Sequence, residues 1–74
     1  MSRWMPVPIE EVIVDLLRRK GGVAKEKELY VMLKSVLGDI SQRELDKALL
    51  KLELHDILRV TSAKRGVRLV TLIK

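Results

Sequence analysis

The chain has 74 residues and a mass of 8.5 kDa, which is the size of one domain, because a hydrophobic core does not divide below about 100 residues. Apolar residues make up 47% of the chain and charged residues 34%, a composition that excludes a disordered tail or a low-complexity linker. The absence of cysteine excludes disulfides, thiolate zinc sites, iron–sulfur clusters and cysteine nucleophiles. We therefore expect a single packed domain over residues 1–74, with no cofactor.

The net charge of +5 is distributed unevenly along the chain. Residues 1–56 carry equal numbers of basic and acidic groups, so the whole excess lies in residues 57–74, which contain five basic groups and no acid. A basic segment on an otherwise neutral chain is typical of a protein that binds a polyanion, most often nucleic acid. It is equally typical of a pair of β-strands whose charges only keep the protein in solution. No apolar run approaches the roughly 18 residues that span a bilayer, and no secretion signal is recognisable, so we expect a cytoplasmic protein without membrane insertion.

The first predicted helix covers residues 8–20 and follows an extended arm of residues 1–7. Pro8 suits the first helical position, where its missing N–H costs nothing, and two consecutive glycines at positions 21 and 22 end the helix. Trp4, in the arm, is expected to cover an edge of the core, with contact to a partner as the alternative. The apolar positions of the helix fall on one stripe, formed by Ile9, Val12, Ile13, Leu16 and Leu17.

A second helix is predicted over residues 25–37, after a short extended step at Val23 and Ala24. Its start is poorly marked, because no Ser, Thr, Asp or Asn precedes Lys25 to cap the free N–H groups. We expect Tyr30 at the margin of the core with its hydroxyl group in water. The apolar stripe of this helix is formed by Leu29, Tyr30, Met32, Leu33, Val36 and Leu37.

The third helix, predicted over residues 41–55, has the clearest start in the chain. Ser41 with Glu44 three residues later forms a capping box, and Ile40 is placed to contact Leu45 as a hydrophobic staple. Only a short turn after Gly38 separates this helix from the second one. Two helices joined by such a turn are a candidate helix-turn-helix pair.

Residues 57–73 have the β-branched, alternating pattern of a β-hairpin. Gly66 can supply the positive backbone angle that a loop of three to four residues needs near its end. The last strand has apolar residues on both faces, so we expect both faces to be partly buried.

The three helices and the basic hairpin, in this order, resemble the winged helix-turn-helix superfamily. Residues 41–53 (SQRELDKALLKLE), 57–60 (ILRV) and 64–68 (KRGVR) are similar to the capped recognition helix, strand and wing of that family. The resemblance extends over nearly the whole chain from Pro8 and implies an α+β fold of three helices with a C-terminal β-hairpin wing. One departure is Asp56, where family members often have glycine, although aspartate tolerates the left-handed conformation.

The resemblance implies that the protein binds double-stranded DNA, as a transcription regulator or a chromatin-type factor. Helix three of the family commonly enters the major groove, and the wing contacts the phosphate backbone or the minor groove. The residues implied for the DNA contact are Gln42, Arg43 and Lys47 on the helix and Lys64, Arg65 and Arg68 on the wing. The family also contains winged helices that bind proteins, for example in RNA polymerase accessory subunits.

The outward face of helix three favours a protein as the partner. At about 100° per residue, the stripe opposite the core contains Arg43, Lys47, Leu50 and Leu54. Two exposed leucines one turn apart indicate a protein interface, chance exposure or a longer core, or contact with thymine methyl groups. We therefore expect wing-led DNA binding of weak sequence specificity, with a protein adaptor or homodimer through Leu50 and Leu54 as the alternative.

No constellation of residues predicts an enzyme or a small-molecule substrate. The single histidine, His55, stands at a helix end, whereas a metal site needs three or four converging ligands. No serine has a plausible base, and no glycine-rich phosphate loop follows a strand. The lack of asparagine and cysteine, with abundant Lys, Arg and Glu, is typical of thermophilic proteins.

Overall fold

Three α-helices and three β-strands follow one another in the order α1, β1, α2, α3, β2, β3 in the computed structural model, which describes residues 8–73. The predicted arm of residues 1–7, including Trp4, lies outside the described residues. The three predicted helices, the extended step and the hairpin are confirmed, each end lying within one residue of its expected position. The elements are α1 (Ile9–Arg19), β1 (Val23–Lys25), α2 (Glu26–Leu37), α3 (Gln42–Leu54), β2 (Leu58–Lys64) and β3 (Val67–Leu72).

The strands form one antiparallel sheet in the order β1-β3-β2, so the fold class is α+β. In the pairing of β1 with β3, Ala24 lies opposite Val70. The pairing of β2 with β3 places Val60 opposite the same Val70 from the other side. Ala24 and Val70 are buried and Val60 is half-buried, because this row of side chains faces the helices.

The hairpin loop is shorter than the sequence predicted. Lys64, at the end of β2, pairs with Val67, so Arg65 and Gly66 alone form the turn, and the expected loop of three to four residues is wrong. Gly66 has a φ of 74°, which glycine adopts without steric cost. The register shifts between Ser62 and Lys64, and this irregularity absorbs the extra residue that was assigned to the loop.

One hydrophobic core lies between the three helices and the inner face of the sheet. The stripes predicted for α1 and α3 are buried or half-buried, but the stripe predicted for α2 is wrong at its C-terminal end, where Val36 and Leu37 are exposed. The sheet contributes alternate residues of its strands. The last strand has a buried Val70 and half-buried Val67, Leu69 and Leu72, as expected for partial burial of both faces. The fully buried side chains of the core are Ile13, Leu17, Leu29, Leu33, Leu45, Leu49, Leu58 and Val70.

Local capping fixes the start and the end of α3. The Oγ of Ser41 accepts from the Glu44 N–H at 3.1 Å, and Oε1 of Glu44 accepts from the Ser41 N–H at 2.9 Å, which confirms the capping box. After the helix, Asp56 has a φ of 58°, the left-handed conformation expected at that position. By contrast, no side chain caps α2 at Lys25, as the sequence predicted.

The hydroxyl group of Tyr30 is not in water, and the expectation for this residue is wrong. It donates a hydrogen bond to the main-chain carbonyl of Ile40 at 2.8 Å. The carbonyl belongs to the turn before α3, where no helical N–H is available to it, so the tyrosine supplies the donor. The hydroxyl group thereby joins α2 to the turn that precedes α3.

Ion pairs on the surface secure α1. Nζ of Lys20 lies 2.8 Å from Oε2 of Glu28, and the hydrogen bond from Lys20 lowers the pKa of that glutamate. Within α1, Arg19 lies 3.1 Å from Asp15, one helical turn earlier.

None of the helices described over residues 8–73 has the length and apolar character needed to cross a membrane.

Candidate nucleic-acid interface

The β2–β3 turn, the first turn of α2 and the first turn of α3 meet at one end of the molecule. Between them lies a groove of about 320 Å³, which we call the basic groove. Three of its lining side chains are cationic and one is acidic, so its local charge is positive. The lining residues are Lys25, Glu26, Lys27, Gln42, Gly66, Val67 and Arg68.

Arg68 lies on β3 and points toward α2, instead of standing at the tip of the hairpin. Its Nε is 3.5 Å from Oε1 of Glu26, whose side chain is only 15% exposed. The other carboxylate oxygen of Glu26 is buried and has no hydrogen-bond partner among the described residues. The ion pair fixes the direction of Arg68 and compensates part of its charge, while the guanidinium still lines the groove.

Lys64 and Arg65 stand at the turn itself, beside Gly66 of the groove. Both side chains are exposed. Neither forms an ion pair with another residue of the described range 8–73. Their charges are therefore available to an anion that approaches this end of the molecule.

The three residues predicted on α3 face different directions. Gln42 lines the basic groove, and its side-chain amide donates to Oδ1 of Asp46 at 3.0 Å. Arg43 follows it on the exposed side of the first helical turn. Lys47 is exposed but lines a separate depression together with Ile9 of α1, so it does not belong to the basic groove.

Leu50 and Leu54 are exposed by 56% and 75%, so they do not extend the core. Glu53 lies between them on the helix, and its Oε2 accepts a hydrogen bond from the Val60 N–H of β2 at 3.3 Å. Leu50 and Leu54 themselves do not line the basic groove. They form an apolar surface separate from the basic groove.

Lys25 and Lys27 were not predicted as site residues. The signal in the sequence was their position, since two lysines flank the start of a helix that has no capping side chain. Cations are unfavourable at the positive end of a helix dipole. The acidic residues Glu26 and Glu28 of the same turn complement the helix dipole.

Comparisons with protein-family models, with curated proteins and with solved structures found no match to this chain. Within the described part of the chain, no group of three or more His, Asp or Glu side chains is arranged to hold a metal ion. The basic groove with the adjoining turn brings together the cations Lys25, Lys27 and Arg68 with Lys64 and Arg65.

Proposed function

We propose that this protein is a winged helix-turn-helix protein that binds double-stranded DNA, as a transcription regulator or chromatin-type factor. Support for the fold comes from the strand order β1-β3-β2 and from the pair α2 and α3, joined by a short turn. Support for the function comes from the charge at one end of the molecule. The proposal rests on one observation, the cluster of cations at this end of the molecule. Lys25, Lys27 and Arg68 line the basic groove, and the unpaired cations Lys64 and Arg65 lie directly beside it.

The start of α2 adds to this positive potential. Its first turn has no side-chain cap, and the part of the helix dipole that Glu26 and Glu28 do not offset acts on the same groove that the two lysines line. Phosphate groups are favoured at such a helix start. The N–H groups and the lysines therefore favour the phosphate backbone of the duplex as the ligand.

Sequence specificity is weak in this proposal, because α3 offers few groups that read bases. Gln42 is already hydrogen-bonded to Asp46, Lys47 faces α1, and the middle of the exposed face is leucine. Base readout requires Arg, Lys, Asn or Gln aimed at base edges. Arg43 is the remaining candidate for such a contact.

The experiment is a salt titration of duplex binding with a variant of the turn. Lys64→Ala with Arg65→Ala removes two cations without touching the core or the Glu26–Arg68 pair. The slope of log affinity against log salt, about −3.6 for four phosphate contacts, should fall in magnitude by about 1.8. Adding Arg68→Ala should abolish retention in a mobility shift at low salt.

The matched control is Arg18→Ala with Lys34→Ala, which removes the same charge from exposed sites on the first two helices away from the turn. This variant should keep the slope of the original protein. Equal losses in both variants would mean that only net charge matters, and undiminished binding by the turn variant would disprove the role of the wing.

A second function, a protein adaptor or homodimer, is favoured by the exposure of Leu50 and Leu54. Replacing both by aspartate should abolish any self-association that is insensitive to salt, measured by sedimentation. Val31→Asp is the control, because Val31 is 64% exposed on α2 and lies outside this surface. A protein that is monomeric at every concentration would disprove the homodimer.

A further inference from the structure

Glu26 is the one acidic residue among the described residues that line the basic groove. It stands at the first position of α2, between Lys25 and Lys27. A carboxylate at a helix start is favourable for the helix dipole, but it repels any phosphate group that enters the groove. Its place in the groove therefore calls for a reason besides charge.

Glu28 shows that helix stability does not require a carboxylate inside the groove. It lies in the same first turn of α2 and complements the same dipole. Its Oε2 pairs with Nζ of Lys20 at 2.8 Å, and its side chain does not line the groove. An acid in this turn is explained by the helix, whereas the placement of Glu26 against the groove is not.

What distinguishes Glu26 is its partner, Arg68 of β3. Oε1 of Glu26 lies 3.5 Å from Nε of Arg68, and the glutamate side chain is 15% exposed whereas that of the arginine is 48% exposed. Glu26 is thus the inner member of the pair and Arg68 the outer one. An anion that enters the groove from solvent contacts the arginine before the carboxylate.

The pair leaves Arg68 able to bind a phosphate group. Its Nε faces Glu26, so the N–H groups of the two terminal nitrogens remain for a ligand. Two parallel N–H groups of a guanidinium match two oxygens of a phosphate group. A long side chain that is already ordered in the free protein also loses less entropy on binding.

We propose that Glu26 is a positioning residue of the basic groove, which orients Arg68 for a phosphate group of the duplex and thereby strengthens the binding of a polyanion. This inference rests on the proposed function of the groove. The opposite role, competition with phosphate for Arg68, conflicts with the burial of the pair. Competition would separate Arg68 from a carboxylate whose other oxygen, Oε2, is buried and already lacks a partner among the described residues.

The experiment compares Glu26→Ala with Glu28→Ala, which remove the same group from the same helical turn. Duplex binding is measured for both over a range of salt concentrations. Glu28→Ala should bind as tightly as the original protein or slightly more tightly, because a negative charge is lost. Glu26→Ala should bind about 2- to 10-fold more weakly, the range expected for the ordering of one long side chain. Unchanged or tighter binding by Glu26→Ala, or equal losses in both variants, would overturn the proposal.

Two further variants test whether Glu26 acts through Arg68. Glu26→Gln keeps an oxygen opposite Nε, so it should bind more tightly than Glu26→Ala, and equal binding by the two would refute the role of that oxygen. Arg68→Ala removes the group that is positioned. Adding Glu26→Ala to it should cause no additional loss, since the two residues act as one unit. A loss that persists would show that Glu26 acts by another route.

The free protein tests the positioning separately from DNA binding. NMR relaxation of the side-chain Nε–H groups should show restricted motion for Arg68, compared with Arg65, which has no ion pair within the described residues. Glu26→Ala should make the two alike. Equal mobility in the original protein would overturn the positioning role whatever the DNA result. A restricted Arg68 in a protein without salt-dependent duplex binding would contradict the proposed function instead, and with it the phosphate group as the ligand.

Discussion

Tyr30 connects α2 to the turn before α3 through one hydrogen bond. Its hydroxyl donates to the carbonyl of Ile40 at 2.8 Å in a partly buried position. Tyr30→Phe removes the donor and leaves that carbonyl without its partner, at a cost of about 1 to 2 kcal/mol in the free energy of unfolding. Urea denaturation followed by far-UV circular dichroism measures this loss.

Lys34→Ala serves as the control for that experiment. The ammonium group of Lys34 lies 5.5 Å from the centre of the Tyr30 ring, and Phe keeps a ring in the same place. The lysine variant should change stability by about 0.5 kcal/mol at most, as expected for an exposed cation–π contact. If Tyr30→Phe is as stable as the original protein, the hydroxyl group does not hold the turn.

Among single residues, the conformations and contacts that depend only on residues close in sequence were predicted correctly. The capping pair Ser41 and Glu44 and the left-handed Asp56 were predicted correctly, because each conformation is decided within a few residues. The hydrogen bond of Tyr30 and the ion pair of Arg68 with Glu26 were not predicted. Both join residues that only the folded chain brings together.

Among the elements, α3 depends most clearly on a local signal. Ser41→Ala removes the side-chain acceptor for the Glu44 N–H, which should cost about 1 kcal/mol of stability. Chemical denaturation of the variant measures the effect.

Ser35→Ala provides a comparison with the same chemical change. Ser35 is exposed in the interior of α2, where alanine is the better helix former, so stability should be unchanged or slightly higher. A loss equal to that of Ser41→Ala would show that the capping box does not set the start of α3.

Only part of the β-hairpin could be predicted from the sequence. Its two strands follow from alternation, but the length of its loop depends on the register shift between Ser62 and Lys64. Nothing in the local sequence marks such an irregularity, since Ala63 is compatible with a strand and with a loop. Arg68 was predicted on the wing, whereas it lies on β3 one residue after Val67 and pairs with Glu26 of α2.

For the whole molecule, fold and site differ in how far they were predictable. The fold follows from the sum of local signals, since three apolar stripes and one alternating segment leave few ways to bury the core. The basic groove combines the starts of α2 and α3 with the turn of the hairpin, which are distant in sequence. The position of Lys25 and Lys27 at a helix start is local, but their place in the groove depends on this long-range arrangement.

The thermophilic composition leads to a prediction for the complete domain. We expect reversible thermal unfolding with a midpoint above the range of about 45 to 65 °C that is usual for mesophilic domains. Circular dichroism during heating and cooling measures both the midpoint and the reversibility. A midpoint within the mesophilic range would contradict the interpretation of the composition.

The hydrogen bond between Glu53 and Val60 lies at an edge of the sheet, where a strand of a neighbouring molecule could pair. Strand β2 is at one edge of the sheet, and open edges invite strands of neighbouring molecules to add on. Here one edge amide is already occupied by a carboxylate, so an incoming strand would have to displace a charged group first. The same carboxylate therefore opposes pairing between the β2 edges of two copies of this chain.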